Sequence, residues 1–67
     1  MAERPVDELT FEAALAELEQ IVMRMESSEL SLDELLSVYE RGAQLARHCG
    51  RLLDEAELRV EQLDAGA

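Results

Sequence analysis

Sixty-seven residues carrying sixteen acids and six basic side chains, all arginine, for a formal net charge of −10, make at most one domain, too small to bury a large core unaided. One Phe, one Tyr and no Trp restrict that core to small aliphatic side chains. So acidic a surface repels phosphate and argues against autonomous nucleic-acid binding, while a single cysteine excludes an intrachain disulfide and suits a reducing compartment.

No apolar run approaches the roughly 20 residues that span a bilayer, and the N-terminus lacks a signal-peptide pattern. The expectation is a soluble, cytoplasmic chain without membrane contact. The charge is uneven along it. Residues 1–40 hold eleven acids and two arginines, whereas residues 41–67 hold five acids and four arginines.

In chain order, residues 1–9 are polar, acidic and contain the only proline, which predicts a flexible, frayed lead-in. Thr10 is a candidate N-cap for a first helix, with Glu12 favourable in its first turn and Asp7 as a competing cap. Phe11, Ala14, Leu18, Ile21 and Met25 follow three- and four-residue steps, and Leu15 and Val22 widen the stripe. The spacing predicts a short amphipathic helix over about 11–27. Glu26-Ser27-Ser28-Glu29 is a polar break.

Leu30-Ser31-Leu32-Asp33-Glu34-Leu35 is a complete helix-start signal. Ser31 and Glu34 have the spacing of a capping box, and Leu30 and Leu35 that of a hydrophobic staple. From there the pattern predicts a long second helix over about 32–63. Leu32, Tyr39, Ala46, Leu53 and Val60 form one row, and Leu35, Gly42, Cys49, Ala56 and Leu63 the other. Val38, Leu45 and Leu52 widen the stripe on one side, Leu36 and Ala43 on the other. Over 32–49 the apolar arc is roughly 200° wide, against the ~100° of a helix covered on one side. Such a helix can receive two neighbours. Beyond Gly50 a single seam remains.

The fold class that follows is all-α: an antiparallel two-helix hairpin over residues 10–64, associating through a coiled-coil-like apolar seam, with a 65–67 tail. At 1.5 Å per residue the helices would be roughly 25 and 48 Å long. Past about residue 48 the second helix would then have no partner in its own chain. Each large side chain left in water there forgoes roughly 1.5–3 kcal/mol. Tyr39, Gly42, Leu52, Leu53, Ala56, Val60 and Leu63 are the candidate subunit-interface residues, and Ser31 and Glu34 the structural cap. Gly42, which costs about 0.5–1 kcal/mol in a helix relative to Ala, is explained by close helix packing together with Ala46 and Cys49.

No residue set carries chemistry. His48 and Cys49 point about 100° apart on a helix, and no other His or Cys exists to complete a metal site. Cys49 reads as a small buried thiol and His48 as a solvated residue on the polar face. Asp54, Glu55 and Glu57 read as a solvated face with i,i+4 pairing of Arg51 to Glu55 and of Glu55 to Arg59. No phosphate loop, catalytic triad or metal spacing is present, so catalytic, cofactor and metal residues are none. Arg41, Arg47 and Arg51, in a stretch free of acids, form a basic patch that could dock on a partner's acids or approach DNA held by that partner. A solvated face is the simpler reading.

Phe11-Glu12-Ala13-Ala14-Leu15-Ala16-Glu17-Leu18-Glu19-Gln20-Ile21-Val22, the Leu30-Ser31-Leu32 cap and Tyr39-Glu40-Arg41-Gly42 together resemble the bacterial exodeoxyribonuclease VII small subunit. The resemblance continues through Leu45-Ala46, Cys49, Leu53, Ala56-Glu57 and Arg59-Val60 and covers about residues 10–63. Ser28 is a departure, since members often have Gly in the turn. The resemblance implies a non-catalytic accessory subunit bound to a large catalytic subunit that degrades single-stranded DNA from either end into oligonucleotides, in work linked to DNA repair. It also implies several small subunits per large one and contact with DNA only through the complex. The catalytic residues would all belong to the large subunit, whose activity needs no added divalent metal. From the residues alone two other readings stay open: a stand-alone homo-oligomeric scaffold or adaptor, and an acidic DNA mimic.

Overall fold

The computed structural model describes residues 4–27 and 29–66. Two helices dominate, α1 over Phe11–Glu26 and α2 over Leu32–Gly66, preceded by a 3-10 turn at Val6–Glu8. Among the described residues there is no strand. The helices pack against each other as a hairpin, and α2 sets its length. Thirty-five residues in α2 span about 52 Å at 1.5 Å each, and the long axis of the molecule is 53 Å.

Both helix starts are made locally. Thr10 Oγ1 accepts the Ala13 N–H at 3.1 Å, which satisfies one of the donors an α-helix leaves open at its N-terminus. Asp7, the rival cap, lies instead in the 3-10 turn. At α2 the reciprocal box forms as the spacing predicts: the Glu34 N–H donates to Ser31 Oγ at 3.2 Å, and the Ser31 N–H donates to Glu34 Oε1 at 3.3 Å. The Glu34 carboxyl lies below its ordinary range, chiefly through hydrogen bonding to the Ser31 side chain and next through the Ser31 N–H, against a smaller opposing effect of desolvation.

Helix α1 ends one residue before the expected 27. There the Ser27 hydroxyl donates to the Arg24 carbonyl at 2.8 Å and the Ser27 N–H is shared between the Met23 and Arg24 carbonyls. Ser28, the departure noted in the turn, lies outside the described residues. At the other end α2 continues through residues 65 and 66; the last residue of the expected 65–67 tail lies outside the described residues.

The core is small. Ala14 and Ile21 of α1 meet Val38, Leu45 and Cys49 of α2, with Val6, Leu9, Phe11, Leu18 and Leu30 packed around them. Gly42 lies where the helices come closest: a Cβ there would stand 3.2 Å from Ile21 Cγ2 and 3.8 Å from Leu18 Cδ1. Close packing is thus its role, as expected. Ala46 does not share it, although it lies one turn on; this residue is exposed. Cys49 is a free, buried thiol.

Residues 4–10 have a defined place, where composition alone suggests a frayed segment. The 3-10 turn is closed by hydrogen bonds from the Glu8 and Leu9 N–H groups to the Pro5 and Val6 carbonyls. Val6 and Leu9 then reach the core. Two α2 side chains clip the segment's backbone: Arg41 Nη2 donates to the Arg4 carbonyl at 2.9 Å, and His48 Nε2 lies 2.8 Å from the Leu9 carbonyl.

Candidate subunit-docking surface

Every buried residue of α2 lies between Val38 and Cys49. Beyond that span α1 and the N-terminal segment have run out, and the rest of α2 projects alone. Leu53 and Val60 are each 56% exposed and Leu63 74%; Ala56 is exposed and only Leu52 is half-buried. On the helical wheel these five residues lie within about 50° of the direction along which Val38, Gly42, Leu45 and Cys49 meet α1. The overhang therefore continues the seam that α1 covers. Leu58, on the opposite side of the overhang, is also exposed and belongs to neither heptad row, so periodicity does not select it.

A second apolar surface runs along the hairpin itself. Leu32, Leu36 and Tyr39 are 71, 52 and 60% exposed and centre about 115° around α2 from its buried face. Leu15 and Val22 are exposed on α1, offset in the same rotational sense. In an antiparallel pair equal-sense offsets fall on one side of the hairpin. Glu17 and Arg41, offset the opposite way on their helices, do meet. One broad side of the hairpin is thus apolar and the other polar. Tyr39 sits on the apolar side. Gly42 alone among the seven candidates faces inward, and its surface is spent on the hairpin.

The polar side changes the reading of the basic patch. Arg41 is not available to a partner: Nε donates to Glu17 Oε2 at 2.6 Å and Nη2 to Glu17 Oε1 at 3.0 Å, a two-point fork of the kind guanidinium makes with carboxylate. The hydrogen bond from Arg41 holds the Glu17 carboxyl below its ordinary range, against a smaller opposing effect of burial, and the charge attraction of the same guanidinium adds to the lowering. Arg41, Arg47 and Arg51 do line one hollow, with Pro5, Val6, Asp7 and Gln44.

His48 corrects the expectation of a solvated residue. It is 5% exposed, because the N-terminal segment lies over it. Arg51, spaced to pair with Glu55, directs Nη2 to His48 Nδ1 at 3.0 Å. Periodicity cannot reveal these contacts, since the Leu9 carbonyl is thirty-nine positions away in sequence. Among the described residues no three His, Cys, Asp or Glu side chains are grouped to hold a metal ion. Among the described residues no helix is long and apolar enough to cross a membrane.

The family model described as exonuclease VII small subunit matches residues 11–62, from the first residue of α1 into the last turns of the overhang. The chain is 54% identical over 59 residues to the exodeoxyribonuclease 7 small subunit of Phenylobacterium zucineum, covering 88% of this chain and 74% of that protein. It is 49% identical over 59 residues to the protein of the same name from Gluconobacter oxydans, covering 88% and 71%. With that of Symbiobacterium thermophilum it shares 52% identity over 56 residues, covering 84% and 76%. No solved structure matches the chain.

Proposed function

The chain belongs to the exonuclease VII small-subunit family, and from that membership we propose that it is the non-catalytic small subunit of exodeoxyribonuclease VII. In this reading it works in the cytoplasm, binding and supporting a large catalytic subunit that degrades single-stranded DNA from either end into oligonucleotides. DNA reaches it only through that complex.

The observation that carries the proposal is the overhang. Leu53, Ala56, Val60 and Leu63 extend the hairpin's own seam while staying in water. Burying the three larger ones contributes roughly 1.5–3 kcal/mol each before the costs of association are subtracted. Neither the helices nor the core needs them, which suits a surface kept for a partner. The second apolar side, with Leu15, Val22, Leu32, Leu36 and Tyr39, gives room for further copies of the chain. At a net charge of −10 each, such copies repel unless the large subunit supplies compensating charge.

The test is co-purification with the large subunit after replacing Leu53 and Val60 together by Asp. Both side chains are exposed in the free chain, so its helicity and unfolding temperature should hold while recovery of the large subunit and its single-strand nuclease activity falls. Undiminished recovery by a double variant of normal fold would refute the overhang as the docking site. Deletion of the chain without any single-strand nuclease defect would refute the subunit reading itself.

A further inference from the structure

We propose that His48 is a proton-operated latch holding the N-terminal segment, residues 4–10, on α2. The chemistry of its two neighbours assigns the ring's state. A guanidinium can only donate hydrogen bonds and a carbonyl can only accept them. Arg51 Nη2 at 3.0 Å therefore requires Nδ1 to be the acceptor, and the Leu9 carbonyl at 2.8 Å requires Nε2 to carry the proton. The docked ring is the neutral Nε2–H form, with both nitrogens used.

A second proton has to go on Nδ1, the atom that accepts from Arg51. That hydrogen bond is then lost, and two cations face each other about a ring that is 5% exposed. Charge buried without a partner is costly. The charged groups around the site offer little relief. On its own helix stand Arg51, together with Arg41 and Arg47, which line the adjoining hollow with Asp7 of the N-terminal segment. From α1 comes Glu17, already engaged at two points by Arg41. Asp7 is the one carboxylate lining that hollow, beside three arginines.

The charged ring is relieved by swinging into water, and it takes the donor of the Leu9 carbonyl with it. Val6 and Leu9 then leave the core, and the α2 face around Cys49 opens where the overhang begins. The other clip, from Arg41 to the Arg4 carbonyl, does not titrate in this range. The latch belongs to the free chain and is independent of the large subunit.

The experiment is amide hydrogen exchange on the full chain, expressed as protection relative to the intrinsic rate at each pH. The Glu8 and Leu9 amides, which close the 3-10 turn, report docking; the amides of Ile21 and Leu45, both in the core, report the hairpin. Protection at Glu8 and Leu9 should fall about tenfold between about pH 7.5 and about pH 5.5, the range in which histidine changes charge, while Ile21 and Leu45 hold. In His48→Gln, whose amide can donate to the Leu9 carbonyl but gains no proton, the two pH values should give equal protection. An equal loss in His48→Gln would overturn the latch. Imidazole nitrogen shifts of the unaltered chain supply a reading that needs no variant. They should show the Nε2–H tautomer at the higher pH. The Nδ1–H tautomer, or a charged ring at the lower pH with Leu9 still protected, would overturn the proposal.

Discussion

Ser31 and Glu34 lie three positions apart and satisfy each other's backbone, so their roles are legible from spacing alone. Ser31→Ala should lower stability by about 0.5–2 kcal/mol through the lost cap, read as a shifted urea midpoint at unchanged slope. Glu17 is different, because its partner comes from the other helix. Its carboxyl is held below the ordinary value of 4.5 by Arg41, so the folded state binds its proton more weakly than the unfolded chain. The stability this contributes is fully present above the unfolded value and is lost as pH falls through the folded one. Thermal unfolding of Glu17→Gln between pH 6 and pH 3 should therefore show less acid destabilisation than the unaltered chain. Equal slopes would mean that the Arg41 fork adds nothing to stability.

At the scale of the helices, two glycines of α2 have opposite prospects. Gly42 is where α1 and α2 touch, with Ile21 Cγ2 already inside ordinary contact distance of an added Cβ. Gly42→Leu must push the helices apart, at a cost of roughly 1–3 kcal/mol from overpacking. An added Cβ at Gly50 meets nothing within 4 Å, so Gly50→Ala should raise stability of the free chain by about 0.5–1 kcal/mol. Chemical denaturation of both variants checks the pair, and a destabilised Gly50→Ala would contradict the open space there. That Gly42 lies in a helix is plain from its row. Which neighbour it serves is not, because its row continues through Ala56 and Leu63 into the overhang, where no α1 is present.

For the molecule as a whole, the buried residues end at Cys49 while the helix runs on to Gly66. A chain stopped after residue 52 should therefore keep the hairpin and its core, lose only the helical signal of the missing turns, and fail to recover the large subunit. Collapse of the hairpin on this truncation would show that the overhang stabilises the fold rather than serving a partner. The two apolar surfaces follow from unequal helix length and from an arc wider than one neighbour can cover. Both are visible in periodicity before any contact is known.

The sequence by itself determined the two helices, their caps, the hairpin and the unmatched end of α2. Helical periodicity and capping act within three or four residues, and lengths follow from counting. It also carried the family through the order and spacing of its motifs. Only the tertiary structure decided how the polar flank is used. It turned Arg41 inward to Glu17, buried His48 beneath residues 4–10, separated Ala46 from Gly42, and gave a polar lead-in a seat on the core. Each depends on a group more than twenty positions away, or on which side of α2 the neighbour lies. A backbone carbonyl such as that of Leu9 leaves no mark in composition or periodicity, because every residue has one.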